Sequence, residues 1–168
     1  MIDAVIYSEY DQFAPFYNDY WAPRLIEQLY PVYDKLLLSK LPRGASVLDV
    51  CCGTGHMAGR LSSDDFTVIG IDGSSEMLSF AKVNAPDARL FHADARSFTV
   101  PEPVKAAVST SDSLNHILSV KELEEAFRSV YNALDDGGIF VFDLHSEEGY
   151  EKAWNGNSGR AEGDRALI

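Results

Sequence analysis

Four aspartates stand at the ends of short apolar runs in the middle of the chain: Asp49, Asp72, Asp94 and Asp112. Such runs predict buried strands of a parallel sheet, and parallel strands all end at the same edge. We therefore expect the carboxylates to converge on one cleft. Carboxylates there attract cations and accept hydrogen bonds from hydroxyl and amino groups. Asp112 is explained about equally well as the cap of the following turn.

A glycine turn at residues 53–55 lies in the stretch VLDVCCGTGHMAGRL, residues 47–61. A strand, a tight glycine turn and a helix N-terminus together bring backbone N–H groups close to a ligand. Residues 53–58 match G-x-G-x-x-A, and Asp72 follows Gly53 by 19 residues. Taken alone, this pattern fits the dinucleotide fingerprint of a nicotinamide-dependent oxidoreductase.

Asp49, just before the glycines, favours a cationic cofactor. Its carboxylate would repel the pyrophosphate of a dinucleotide but attract the ammonium and sulfonium groups of S-adenosylmethionine, whose carboxylate the backbone N–H groups can bind. Asp72 suits the ribose hydroxyls of either cofactor, and Asp94 suits the amino group of adenine. The residues thus favour S-adenosylmethionine, and NAD(P) remains the alternative.

The elements that would hold these residues alternate between strand and helix. The predicted strands are Ser46–Val50, Thr67–Ile71, Arg89–His92, Val104–Thr110 and Ile139–Leu144. The predicted helices are Gly55–Leu61, a helix capped by Ser74, and a helix that starts at the Ser119/Glu122 capping box and ends at Gly137-Gly138. This alternation predicts an α/β fold with a doubly wound, mainly parallel Rossmann-like sheet of order 3-2-1-4-5.

The N-terminal region is rich in aromatic residues. Tyr10, Phe13 and Tyr17 recur at helical spacing, which fits either a packing face or a lid over a ligand. A second helix is predicted over Leu25–Leu38, with one side formed by Leu25, Leu29, Val32 and Leu36. Pro31 predicts a kink or a division of that helix.

In order and spacing, VLDVCCGTG, VIGID, FHADA and LDDGGIFVFDL resemble the class I S-adenosylmethionine-dependent methyltransferases, over Ser46–Leu144. The opening YDQFAPFYNDYW is similar to the aromatic N-terminal cap of members that methylate small amines or sugars. The resemblance implies in-line methyl transfer to a small-molecule nitrogen or oxygen nucleophile, with S-adenosylhomocysteine as product. A non-catalytic or truncated S-adenosylmethionine-binding module is the second alternative.

The resemblance also implies roles for individual residues. The residues implied to contact the methionine part are Asp49, Cys51, Gly53, Gly55 and Ser111, with Tyr10 closing the cap. Those implied to contact the ribose and adenine are Asp72, Gly73, Ser74, Met77, Asp94, Ala95 and Arg96. His116, His145 and Tyr17 are the candidates for a general base, should the reaction use one. The family usually has glycine or alanine at position 51, so Cys51 is expected to narrow the pocket slightly.

Composition excludes several other classes of function. The formal net charge of -12 disfavours nucleic acid and anionic membranes as partners. The two cysteines, Cys51 and Cys52, are adjacent, and no Cys/His cluster has zinc-ligand spacing, so neither a cross-link nor a metal is expected. The N-terminus is unlike a signal peptide and no apolar run has membrane-spanning length, which predicts a cytoplasmic protein.

We expect three regions: a helical cap at residues 1–43, the cofactor-binding core at 44–146, and a C-terminal helix and flexible tail at 147–168. The helix is predicted over Glu147–Trp154 and the loop over Asn155–Asp164. The family normally continues with two further strands, so the chain is expected to be a truncated protein, a gene fragment or an unusually short variant. A bare fifth-strand edge then makes a homodimer possible.

Overall fold

The computed structural model of the chain describes residues 10–154, 160–162 and 165–167. Five parallel strands form one sheet in the order β3-β2-β1-β4-β5, which confirms the predicted fold class and strand order. The strands are β1 Ser46–Val50, β2 Thr67–Asp72, β3 Arg89–His92, β4 Val104–Ser109 and β5 Leu134–Phe142. The central strand β1 pairs with both β2 and β4, so the ends of these three strands lie side by side.

Helices cover both faces of the sheet. They are α1 Ala14–Phe16, α2 Ala22–Leu36, α3 His56–Ser63, α4 Ser75–Asn84, α5 Val120–Ala133 and α6 Glu147–Trp154. A π-helical turn, Tyr17–Trp21, joins α1 to α2, and short 3-10 turns occupy Leu38–Lys40 and Ser113–His116. The predicted caps are present, because the Ser74 and Ser119 side chains accept from the backbone N–H groups of Met77 and Glu122.

Strand side chains alternate between two buried clusters. Val47, Val68 and Val108 pack on one face against α2 and α3. Leu48 and Ile69 pack on the other face against α5. The nearly continuous apolar runs of β1, β2 and β4 follow from this burial on both faces.

The inward face of α2 differs from the predicted one. The helix runs unbroken through Pro31, and its buried residues are Ala22, Ile26, Tyr30 and Tyr33. Val32 and Leu36 are exposed, so the prediction that they share an apolar side with Leu25 and Leu29 against the core is wrong for those two residues. The tyrosines are favoured inside because their rings fill the core while their hydroxyls find polar partners, Asp64 and Asp143.

The fifth strand begins earlier than predicted. Helix α5 already ends at Ala133, and β5 follows directly at Leu134. Leu134 pairs with Val104 but Ile139 pairs with Ala106, so a bulge lies between them and contains the two glycines that were predicted to end the helix. Strand β5 is an edge of the sheet, and Ile139 is 49% exposed.

The C-terminal region contains the predicted helix α6 and two short strands. The strands, β6 Arg160–Glu162 and β7 Arg165–Leu167, pair antiparallel, which corrects the expectation of a loop at residues 160–162. Residues 155–159 and 163–164 of that expected loop lie outside the described residues. None of the helices in the described part of the chain combines the length and apolar character that crossing a membrane requires.

Candidate functional site

A cavity of about 1000 Å³ opens at the carboxyl ends of the strands. Its aromatic wall comes from the N-terminal segment and contains Tyr10, Phe13, Phe16, Tyr17, Tyr20 and Trp21. Its polar wall comes from the strand ends and includes Asp72, Asp94, Asp112 and Asp143. Pockets for small ligands usually measure about 300–1,000 Å³, so this cavity lies at the upper end of that range.

The turn after β1 has a left-handed backbone at three positions, with φ values of 59° at Cys51, 53° at Gly53 and 82° at Gly55. Gly55 needs to be glycine for a second reason, since a Cβ there would lie 2.7 Å from the Cα of Ala81 on α4. The ring of Tyr17 lies 3.5 Å from the point that a Cβ of Gly53 would occupy. The turn therefore fits tightly between α4 and the aromatic wall.

Asp72 links this turn to the start of α4. Its two carboxylate oxygens accept from the backbone N–H groups of Gly53, at 2.7 Å, and of Ser74, at 2.8 Å. Burial raises the pKa of Asp72, and these hydrogen bonds offset part of the increase. The carboxylate is thus held at a defined place on the cavity wall.

Asp49 lies behind the wall rather than on it. The residue is 1% exposed, and neither carboxylate oxygen has a hydrogen-bond partner of ordinary geometry. Burial, together with the nearby Asp72 carboxylate, raises the pKa of Asp49 to about 8, and the backbone N–H of Ala58 offsets the shift only in part. Ionising a buried carboxyl group without well-formed hydrogen bonds is unfavourable, so a nearby positive charge would stabilise its ionised form.

The two cysteines are not activated as nucleophiles. Burial raises the pKa of both thiols, and the carboxylates of Asp72 and Asp49 raise it further. A protonated thiol is a weak nucleophile. Cys51 contributes a small side chain to the cavity wall, and Cys52 is buried against Leu78 and Ala81.

Asp94 and Arg96 form a fixed pair after β3. The Arg96 guanidinium donates to both carboxylate oxygens of Asp94, at 2.6–3.1 Å, and to Glu122 at 2.7 Å. The hydrogen bonds from Arg96 hold the pKa of Asp94 below its usual value. Asp94 remains ionised at neutral pH and borders the cavity, while Arg96 lies outside the cavity wall.

The turn after β4 is unusual, because two successive non-glycine residues have a left-handed backbone, with φ of 65° at Ser111 and 50° at Asp112. Burial raises the pKa of the Tyr17 phenol, and the nearby Ser111 side chain offsets part of the increase. Asp143, after β5, accepts from the backbone N–H of Asp112 at 2.8 Å. Tyr33 in turn donates to Asp143 at 2.6 Å.

Two histidines complete this side of the cavity. The Tyr10 hydroxyl lies 2.7 Å from Nε2 of His116. The backbone of His145 makes two reciprocal hydrogen bonds with the Asn115 side chain, both 3.0 Å, and its Nε2 lies 3.9 Å from the Asp112 carboxylate. Both imidazoles therefore face the cavity from positions held by neighbouring residues.

Polar contacts join the aromatic wall to the core. Asn84, at the end of α4, donates to the Asn18 side chain and to the Thr54 carbonyl, both at 2.7 Å. The Ser74 hydroxyl donates to Asp11 at 2.5 Å. The wall is thus attached to the glycine turn and to the start of α4.

Most of the predicted site residues border this one cavity. Those in its wall are Tyr10, Tyr17, Cys51, Gly53, Asp72, Gly73, Met77, Asp94, Ala95, Ser111, His116 and His145. Asp49, Gly55, Ser74 and Arg96 are not in the wall: Asp49 lies behind it, Gly55 packs on α4, Ser74 caps α4, and Arg96 pairs with two acids. Their individual roles stay predictions.

Sequence reasoning missed several residues of the wall. Asp143 follows the fifth strand as the other acids follow theirs, so the same rule would have found it. Arg24 and Gln28 lie one turn apart on α2 and also border the cavity. Arg24 is the only lysine or arginine in this wall as far as the chain is described.

The sequence and fold were compared with known proteins. A family profile described as "Methyltransferase domain" matches residues 47–138. A protein of Bacillus subtilis (strain 168) with a provisional methyltransferase name is 37% identical over 141 residues, which cover 82% of this chain and 56% of that protein. The dTDP-3-amino-3,6-dideoxy-alpha-D-glucopyranose N,N-dimethyltransferase of Streptomyces fradiae is 37% identical over 101 residues, or 60% of this chain and 40% of that enzyme.

A solved structure shares the fold. The structure of a SAM-bound amino pentose methyltransferase from Micromonospora echinaspora superimposes with a TM-score of 0.65 at 25% identity, covering 80% of this chain and 56% of that one. The present chain spans about half the length of the curated relatives it matches.

Proposed function

Since the chain belongs to the methyltransferase domain family, we propose that it transfers a methyl group from S-adenosylmethionine to a nitrogen or oxygen nucleophile of a small molecule. An amine is the favoured acceptor, because the Streptomyces fradiae relative is named for dimethylating an amino sugar. The observation that carries this proposal is Asp49, a buried carboxyl group behind the glycine turn whose two oxygens have no hydrogen-bond partner of ordinary geometry. Its ionised form would be stabilised by a cationic cofactor and destabilised by a pyrophosphate.

The residues present fit S-adenosylmethionine. Cys51, Gly53 and Tyr17 would surround its methionine part. Ionised Asp49, behind the glycine turn, would attract its cationic groups. Asp72 offers a carboxylate for ribose hydroxyls, and Met77 offers an apolar surface for adenine. When bound, the cofactor supplies an electrophilic methyl group on a positively charged sulfur.

The chain's own residues would orient the acceptor. The aromatic wall excludes water from the reaction path, and alignment of two reactants alone can lower a barrier by about 7–11 kcal/mol. The Tyr10 hydroxyl and the His116 imidazole are hydrogen-bonded to each other, and His116 is one candidate for the group that accepts the amine proton. His145 and Tyr17 are the other candidates for a group that accepts this proton.

Two measurements test the proposal. Calorimetric titration with S-adenosylhomocysteine should give one site per chain, whereas tight NADH binding without it would support an oxidoreductase. Release of S-adenosylhomocysteine should then be measured with glycine, sarcosine, glucosamine and dTDP-3-amino-3,6-dideoxy-α-D-glucopyranose as acceptors. Binding without turnover of any amine or hydroxyl acceptor would indicate a cofactor-binding module that is not catalytic.

We further propose that the exposed edge of β5 pairs with a second copy of the chain. Apolar side chains stand exposed along this edge, among them Ile139 and Phe142, and such an edge is a template for pairing. Ile139→Lys should convert the dimer into a monomer in light scattering, whereas Val83→Lys, at an exposed position on α4, should not. A wild-type monomer at all concentrations would contradict the proposal.

A cytoplasmic location is proposed on the basis of the two free cysteines. Cys51 and Cys52 are unpaired thiols, and such thiols persist in reducing compartments. Recovery of the protein in the cytoplasmic fraction of its source cells tests this assignment.

A further inference from the structure

The side chain of Tyr33 connects helix α2 to the ends of two strands. Tyr33 is on α2 and is only 2% exposed. Its hydroxyl lies 2.7 Å from the Ser109 carbonyl and 2.6 Å from Oδ1 of Asp143, and these two acceptors share its one proton. The hydroxyl therefore connects α2 to the ends of β4 and β5 at once.

Asp143 also makes a hydrogen bond to the turn after β4. While Oδ1 of Asp143 accepts from Tyr33, its Oδ2 accepts from the backbone N–H of Asp112 at 2.8 Å. Ser111 and Asp112 are both left-handed, a backbone conformation that costs about 1–3 kcal/mol for each such residue. A turn of this kind persists only where surrounding contacts hold it, and the Asp143 carboxylate is one such contact.

The position of this turn determines what the cavity presents to an acceptor. Asp112 precedes the 3-10 turn Ser113–His116, and both Asp112 and His116 border the cavity. His145 lies 3.9 Å from the Asp112 carboxylate. A shift of the Asp112 backbone would therefore move all three polar groups of the acceptor side together.

We propose that Tyr33 and Asp143 are positioning residues for methyl transfer, which hold the Ser111–Asp112 turn so that Asp112, His116 and His145 face the acceptor. This inference rests on the proposed function for its catalytic consequence. The cofactor side is anchored separately, by Asp72 between Gly53 and Ser74. Since Ser111 is one of the predicted contacts of the methionine part, loss of the Tyr33 hydroxyl should impair turnover more than it weakens cofactor binding.

The same helix provides a matched control. Tyr30 is 8% exposed, and its hydroxyl donates to Asp64 at 2.5 Å, but neither Tyr30 nor Asp64 borders the cavity. Tyr33→Phe and Tyr30→Phe each remove one hydroxyl from a buried tyrosine that is hydrogen-bonded to an aspartate. The two variants differ chiefly in whether that aspartate holds the turn.

The test combines hydrogen exchange, binding and kinetics. In Tyr33→Phe, amide exchange over residues 110–116 should be at least 10-fold faster than in the wild type, and in Tyr30→Phe it should be unchanged. The Kd for S-adenosylhomocysteine should be unchanged in Tyr30→Phe, and in Tyr33→Phe it should rise by a smaller factor than kcat falls. With the best acceptor of the panel above, kcat should fall about 10-fold in Tyr33→Phe only.

Asp143→Asn distinguishes the two hydrogen bonds of Asp143, one from Tyr33 and one from the Asp112 backbone. Its amide oxygen can still accept from Tyr33, but its NH2 group cannot accept from Asp112, so both exchange and kcat should resemble those of Tyr33→Phe. Equal exchange rates in Tyr33→Phe and Tyr30→Phe would overturn the inference, whether or not the protein is active. Failure of the wild type to bind S-adenosylhomocysteine would instead overturn the proposed function, and the exchange result would still decide whether Tyr33 holds the turn.

Discussion

Replacing Asp49 by asparagine should remove a strong dependence of stability on pH. The carboxyl has an ordinary pKa of 3.8 in an unfolded chain and a pKa of about 8 in the folded protein. Between these values the folded state binds a proton that the unfolded state has released, so stability decreases as pH rises. The stabilisation of the folded state by this proton is complete below pH 3.8 and is lost by about pH 8. Asparagine keeps the shape and has no proton to lose.

The magnitude follows from the width of this window. Between pH 5 and pH 7 the unfolded carboxyl is ionised and the folded one is protonated, so the slope is about 1.4 kcal/mol per pH unit. The free energy of unfolding of the wild type should thus fall by about 3 kcal/mol relative to Asp49→Asn over these two units. This is a large part of the about 5–15 kcal/mol that stabilises a typical domain.

Urea unfolding at fixed ionic strength, followed by circular dichroism from pH 5 to pH 9 without added ligand, measures the difference. The two curves should diverge from pH 5 upward and run parallel above about pH 8. Asp34→Asn, at an exposed acid on α2, serves as the control and should track the wild type. Parallel curves for wild type and Asp49→Asn across the whole range would refute the assignment of a raised pKa to this buried carboxyl.

Three further predictions concern the same turn and the cavity wall. S-adenosylhomocysteine should bind the wild type more tightly as pH rises from 6 to 8, because its ammonium favours ionised Asp49, and calorimetry on Asp49→Asn should show no such increase. Cys51→Gly should be about 1 kcal/mol more stable to urea than Cys51→Ala, because only glycine relieves the left-handed backbone; equal stabilities would contradict this. We expect Arg24, in the cavity wall, to pair with the carboxylate of S-adenosylhomocysteine. Arg24→Gln should therefore weaken binding of S-adenosylhomocysteine about two- to fivefold, the range for an exposed ion pair, and leave binding of 5′-methylthioadenosine, which lacks the carboxylate, unchanged. Arg128→Gln is the control, and equal weakening of both ligands would contradict the role of Arg24.

The acids of the polar wall could be predicted because their position depends on a local rule. An apolar run of strand length followed by an acid places that acid at one edge of a parallel sheet, whatever the rest of the chain does. Asp72, Asp94 and Asp112 border the cavity for this reason. Asp49 obeys the rule in sequence but is covered, because it stands within β1, one residue before the strand ends at Val50.

Residues placed by long-range contacts could not be predicted in the same way. The apolar pattern of α2 groups Val32 and Leu36 with Leu25 and Leu29, but Val32 and Leu36 are exposed. Tyr33 is buried, and its hydroxyl meets Ser109 and Asp143, far along the chain. The start of β5 was missed for a related reason. The two glycines indicate a helix end locally, whereas the backbone is already extended at Leu134, where pairing with Val104 begins.

The two walls of the cavity form one unit rather than a core with a separate cover. Asn84 joins the Asn18 side chain to the glycine turn, Ser74 joins Asp11 to the start of α4, and Tyr33 joins α2 to the end of β5. The first two contacts end at the side proposed for the cofactor, and the third ends at the side proposed for the acceptor. A substitution in the N-terminal segment can therefore affect cofactor binding and acceptor turnover separately, depending on which of these contacts it breaks.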